Sequence, residues 1–202
     1  ASITLRDSDA PDRLQTQVTV TLRRGEAVWS IAPQVSNPTT RLMRVQFWLN
    51  AMLTLGGRTT APDTEFTLPT SAVRVHSTGD KRLPDAKETI TWPTYQTIDF
   101  SRYTNWQNWL GVFATELNGG RVSALSLQRK LQLMRAFPTD RAPGVKLFAF
   151  GPQFPDRTYT DDDSQYFELW GGLNKSFWPE DDVLLAPNAR LEWSERWSVG
   201  VQ

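Results

Sequence analysis

At 202 residues the chain is long enough for one domain with a sizeable core, and its 22 Lys plus Arg balance 22 Asp plus Glu, so no net field draws it to nucleic acid or an anionic membrane. It has no cysteine and a single histidine, which excludes disulfides, thiolate metal sites, a cysteine nucleophile and any multi-histidine zinc or iron centre. No apolar run nears the roughly 18 residues of a membrane span, and Ala1-Ser2-Ile3-Thr4 shows no basic region followed by an apolar run.

In chain order the rhythm is short alternating runs broken by Gly, Pro, Asn and Asp, the pattern of an all-β protein. Gln17–Leu22 alternates, Arg23-Arg24-Gly25-Glu26 reads as a tight turn, and Ala27–Ile31 alternates again, giving a first hairpin. Asn37-Pro38 punctuates. Arg44–Leu53 is apolar on both faces and predicts a central strand buried on both sides. Thr60–Pro69 is loop-like until Phe66, Ala72–His76 is a short strand, and Ser77–Pro93 is a long polar excursion. Trp106–Glu116 is a strand candidate. Val122–Phe137 fits either two strands around Gln128-Arg129-Lys130 or a helix, since Gln, Arg, Lys, Leu and Met favour the latter. Strands over Lys146–Phe150, Gln165–Trp170, Val183–Leu185 and Leu191–Val199 complete a mostly antiparallel β-sandwich, a single domain over residues 1–202.

Nine tryptophans exceed what a core of this size needs and hint at a stacking surface. Trp29, Trp48 and Trp193 alternate with apolar neighbours as core residues do, whereas Trp92, Trp106, Trp170 and Trp178 stand beside Pro, Asn, Gly or Asp as platform candidates. Glu168 is the leading polar candidate: a carboxylate between Tyr166 and Trp170, all on one face of a strand. Aromatic faces stack on the C–H faces of a pyranose while the carboxylate accepts from its hydroxyls. The alternative is a solvent-facing glutamate or one paired with Arg190 or Arg196. His76 is the only group titrating near neutrality, and it is either a partner acid or a packing residue. Arg41, Arg44 and Arg74 can offer bidentate bonds to a carboxylated sugar or serve as rim charges. Asp161-Asp162-Asp163 and Glu180-Asp181-Asp182 lack the spacing of a Ca²⁺ loop and read as solvated turns. No phosphate loop or G-x-S-x-G elbow is present, so no metal or cofactor is expected.

Several segments in order carry a resemblance: Asn37, Gln46-Phe47-Trp48-Leu49-Asn50-Ala51, Val75-His76-Ser77, Pro143–Phe148, and Tyr166-Phe167-Glu168-Leu169-Trp170-Gly171-Gly172. From about Val18 onward the chain resembles a family of bacterial domains of unknown function, often found beside tetratricopeptide repeats. That family in turn resembles the galactose mutarotase superfamily, the β-supersandwich of aldose 1-epimerases. The resemblance implies a supersandwich with some N-terminal strands missing or reduced, because domains of that superfamily run longer. It places Glu168 at the catalytic base, Leu185-Ala186-Pro187-Asn188 at a Pro-Gly turn, and Gln46 where the acid histidine belongs. Glutamine hydrogen-bonds a ring oxygen but cannot protonate it.

The expectation is therefore a carbohydrate-binding sandwich, with Glu168 and His76 as candidate catalytic residues and Gln46, Trp48, Asn50, Trp170 and Arg74 contacting the sugar. Two alternatives stand beside it: a sugar epimerase or other carbohydrate-processing enzyme with Glu168 as base, and a non-catalytic interaction sandwich marked by an exposed apolar patch. A protein partner or a flanking helical-repeat domain would accompany the last. Absence of cysteine fits a cytosolic or an exported protein equally well.

Overall fold

The computed structural model describes residues 1–8, 10–154, 159–162 and 164–201. Its strands are β1 Ser2–Arg6, β2 Gln15–Leu22, β3 Val28–Ser36, β4 Met43–Val45, β5 Trp48–Leu53, β6 Glu65–Thr67, β7 Ala72–Thr78, β8 Thr89–Thr91 and β9 Thr94–Tyr95. They continue as β10 Ile98–Asp99, β11 Trp109–Phe113, β12 Arg121–Ser126, β13 Leu131–Ala136, β14 Gly144–Phe150, β15 Phe167–Gly172, β16 Val183–Leu185, β17 Arg190–Glu192 and β18 Glu195–Val201. Two short 3₁₀ turns, Tyr103–Asn105 and Pro179–Asp181, supply the helical residues. The fold is all-β and antiparallel, as its alternation predicts.

Local chemistry explains the hairpins. Gly25, at φ +82°, closes the turn between β2 and β3, where its missing Cβ makes left-handed backbone free of strain. Val122–Phe137 is two strands rather than a helix. Its inward set, Val122, Ala124, Leu133 and Arg135, is buried at a period of two, and Asp63 grips the turn through Ser126 Oγ at 2.8 Å and the Gln128 amide at 2.8 Å.

The strands form an eight-stranded sheet, β1-β2-β3-β18-β13-β12-β6 with β17 also on β3, and a six-stranded sheet, β5-β15-β14-β11-β7-β8. Their facing side chains share one core. The six-stranded sheet contributes Val73, Val75, Leu110, Val112, Leu147, Phe167 and Leu169, and the other Phe66, Val122, Ala124, Leu133 and Trp197. Burial of each such side chain stabilises by about 1.5–3 kcal/mol.

Arg44–Leu53 departs from its expectation of a central strand. It breaks at Gln46-Phe47 into β4, which pairs with β16, and β5, which is an edge strand of the six-stranded sheet. The cause is Asn174, whose Oδ1 takes the Phe47 amide at 3.0 Å while the Phe47 carbonyl accepts from Leu173 at 3.0 Å. The strand buried at every position is instead β14. The polar excursion contains the short strand β8, and β1 has no counterpart in the alternation pattern. Trp92 and Trp106 are buried in the main core rather than forming platforms, and the Trp106 indole donates to the Phe100 carbonyl at 2.9 Å.

Between the sheets lies a buried ion pair. Arg135 Nε and Nη2 donate to Glu195 at 2.6 and 2.8 Å, and the indoles of Trp193 and Trp197 donate to the same carboxylate at 3.1 and 3.3 Å. Gly171 leaves room for that guanidinium, since a Cβ there would lie 2.3 Å from Arg135 Cζ. At the far edge, the face that carries Ile31 continues through Val20 onto Ile3 of β1. There Ile3 and Leu5 remain 59 % and 61 % exposed.

Candidate functional site

The outer face of the six-stranded sheet gathers the chemistry, and a β-bulge on β7 aims it. Gly111 of β11 pairs with Ser77, but Val112 pairs with Val75, so His76 is the additional residue. Such an insertion re-aims side chains, and His76 and Ser77 both line the outer cavity. Register then fixes the rest, because directly paired residues share a face. Gly111 pairs with Phe148, Phe148 with Glu168, and Lys146 with Trp170. The result is a cavity of about 290 Å³ lined by His76, Ser77, Lys146, Phe148, Tyr159, Tyr166, Glu168, Trp170 and Phe177. Gly111 lies beneath three of these residues: a Cβ there would sit 3.4 Å from His76 Nδ1, Phe148 Cδ2 and Ser77 Oγ.

Glu168 Oε2 accepts the Trp170 indole N–H at 2.7 Å. The Lys146 ammonium lies 4.3 Å from the Trp170 ring centre, 5.2 Å from Phe177 and 5.4 Å from Phe148. Burial lowers its pKa to about 8, with the Glu168 charge opposing. His76 packs edge-on to Phe113 and Phe177, at 5.1 and 5.2 Å. Burial, followed by the charge of Lys146, brings its pKa down to about 4, so the ring is neutral at neutral pH. Among the described residues its buried Nδ1 has no hydrogen-bond partner. Tyr166 donates to the Tyr159 carbonyl at 3.2 Å, and burial pushes its phenol up.

One wall is the connection from β15 to β16, held in place by Asn174 and Ser176. Asn174 Nδ2 donates to the carbonyls of Val45 and Asp181 at 2.8 and 2.9 Å, and Ser176 Oγ donates to the Asp181 carboxylate. This frame seats Phe177 against Trp48 at 5.0 Å, Phe113 at 5.0 Å and Trp170 at 5.4 Å. Next to it, Arg74 covers the Trp178 ring at 4.4 Å, and Glu180 lies 3.8 Å from both Arg74 and Lys87.

Of the residues singled out from sequence, Glu168, His76 and Trp170 come together at the cavity, with Tyr166 beside them. Gln46, Trp48, Asn50 and Arg74 do not line it. Gln46 donates to Asp182 at 2.7 Å and accepts from the Trp48 indole at 3.1 Å, so its amide is already engaged. Trp48 packs on the far side of Phe177, Asn50 is exposed on edge strand β5, and Arg74 lies under Trp178, whose ring face is thereby occupied. Glu168 pairs with neither Arg190 nor Arg196, and Arg190 meets Glu192 at 3.3 Å. Arg44 lies 3.4 Å from Asp182. Asp162 caps Thr160 and Ser164 in a turn, while Asp163 falls outside the described residues. Among the described residues no cluster of acidic or histidine side chains could hold a metal ion, and no helix is long and apolar enough to cross a membrane.

Sequence reasoning missed Lys146, Ser77, Phe148, Tyr159 and Phe177. Lys146 had a signal, as the single charge in Val145–Phe150. Phe177 had none, because only the folded loop carries it across the sheet.

Three solved structures share this fold. The chain is 20 % identical to a TPR-domain containing protein from Parabacteroides distasonis, with TM-score 0.76, covering 98 % of this chain and 32 % of that one. A galactose mutarotase-like protein from Clostridium acetobutylicum is 8 % identical, with TM-score 0.63 and 100 % and 62 % coverage. A galactose mutarotase related enzyme from Lactobacillus acidophilus is 17 % identical, with TM-score 0.58 and 98 % and 68 % coverage. The chain thus spans less than two thirds of the first two. Among curated proteins no sequence matches it. A family model, the domain of unknown function DUF5107, matches residues 1–197, and the chain belongs to that family.

Proposed function

We propose that the outer face of the six-stranded sheet binds carbohydrate in the cavity around Glu168. The observation that supports this is the mixture of groups in one concave space. Glu168 accepts hydrogen bonds, Lys146 and Ser77 donate them, His76 offers an unpartnered Nδ1, and Phe148, Tyr159, Trp170 and Phe177 supply ring faces. Cyclic polyols present the complement, hydroxyls around an apolar C–H face. A mutarotase-like fold adds to the reading only by analogy.

Recognition is favoured over turnover because His76 is neutral near pH 7 and so is a poor proton donor to a ring oxygen, while its buried Nδ1 has no hydrogen-bond partner among the described residues. The test is a tryptophan-fluorescence titration with aldoses, uronic acids and short oligosaccharides, followed by NMR of any ligand for anomer interconversion. A saturable shift without faster interconversion supports binding. Faster interconversion abolished by Glu168→Gln would instead make the chain an epimerase.

A second reading, a protein-interaction surface, draws on Ile3 and Leu5, which extend the core-bearing face of the eight-stranded sheet while staying exposed. Failure of every sugar to register, with self-association or capture through β1, would favour it.

A further inference from the structure

Lys146 is placed unlike the other cation buried in this protein. Arg135 is spent on a bidentate ion pair at 2.6 and 2.8 Å. Among the described residues no carboxylate lies within ion-pair distance of Lys146, although it is only 4 % exposed and lines the cavity. Its surroundings are Phe148 on its own strand, Glu168 and Trp170 from β15, Phe113 from β11, His76 from β7 and Phe177 from the loop wall. The ring faces favour the ammonium and the Glu168 charge supports it, yet desolvation outweighs both and leaves the pKa at about 8. A desolvated lysine lining a cavity, with a carboxylate on the neighbouring strand, is an amine prepared for carbonyl chemistry.

We propose that the Lys146 amine condenses with the aldehyde of an open-chain aldose seated in this cavity, forming an imine. The proposal rests on the carbohydrate reading of the site. The ammonium first gives a proton to solvent or to Glu168. The nitrogen lone pair then attacks the carbonyl carbon, the C–O π pair moves to oxygen, and a proton shift from nitrogen to oxygen gives the carbinolamine. Return of the first proton to the hydroxyl lets water leave as the nitrogen lone pair forms the C=N bond, giving the imine in its protonated form. No oxidant or reductant is involved. Glu168 holds and moves the proton, and the aromatic walls lie against the reacting carbon.

The test uses glyceraldehyde and cyanoborohydride on the whole chain at pH 7, with sites mapped by peptide mass spectrometry. Lys81, Lys87, Lys130 and Lys175 are the internal comparators. Because burial raises the free-amine fraction of Lys146, it is expected to label at least about tenfold faster than any of them. Its labelling should level off above about pH 8. Lys146→Arg should remove that adduct alone. Methyl glycosides, which cannot open, should protect Lys146 if they shift tryptophan fluorescence. Labelling of Lys146 no faster than the comparators, in a protein that binds glycosides, overturns the imine and leaves the carbohydrate site standing. Rapid labelling that no glycoside slows supports the amine chemistry and overturns the carbohydrate site.

Discussion

Gly111 separates fold from site more cleanly than any lining residue. It pairs with Phe148 and with Ser77 beside the β7 bulge, inside a strand where glycine costs conformational entropy. Its backbone is not left-handed, and a Cβ would meet its neighbours at 3.4 Å, close to ordinary contact. Gly111→Ala should therefore leave the fold intact or stabilise it by about 0.4–1 kcal/mol, chiefly through a less free unfolded chain. Gly111→Val adds three carbons, each comparable to a water's share of about 30 Å³, that must push His76, Phe148 and Ser77 into a cavity of about 290 Å³. Sugar affinity should drop by at least about tenfold, or ~1.4 kcal/mol, with alanine between valine and the parent. Urea unfolding and tryptophan-fluorescence titration on the same samples give both quantities. A folded Gly111→Val protein that binds with the parent's affinity would show that the ligand lies elsewhere.

Glu168→Gln keeps an acceptor for the Trp170 indole and should weaken a neutral sugar by less than about 1 kcal/mol, while Trp170→Ala removes a wall and should cost ~2 kcal/mol by the same titration. In the core, Arg135→Met strands a buried carboxylate and should cost about 3–5 kcal/mol in urea. Glu195→Leu should cost more, because it orphans the guanidinium and two indole N–H groups, and the double variant should recover much of the loss. A cost below about 1 kcal/mol for either single variant would mean that water reaches the pair. His76 is held near pH 4 when folded and titrates near 6.5 when unfolded, so the unfolded state binds more protons between those values. Stability should fall on acidification through that window, by ~2 kcal/mol once solvent screening of the partly exposed ring is counted. His76→Phe should abolish that component; identical pH profiles would refute it.

Alternation and turn chemistry sufficed for most strands and for placing Tyr166, Glu168 and Trp170 on one face, because a strand's side chains alternate whatever it packs against. The same logic overlooked Lys146, although it stands as a lone charge in an apolar run. What local sequence could not decide was pairing. Asn174 breaks Arg44–Leu53 at Phe47 from 127 residues away, and Asp63, just before the neighbouring strand β6, fixes the β12–β13 turn from 65 residues away. Trp92 and Trp106 sit among loop-forming residues yet fold into the core, since burial depends on what closes over a side chain rather than on its neighbours in sequence.

The amino-acid sequence by itself thus determined an all-β chain, its periodic faces and the carboxylate at the centre of the candidate site. Only the tertiary structure decided that a one-residue bulge turns His76 and Ser77 toward Glu168, that Gly111 leaves the space between them, and that Phe177 closes one side. Register across strands is a property of pairs distant in the chain, and a site made at their crossing has no local signature.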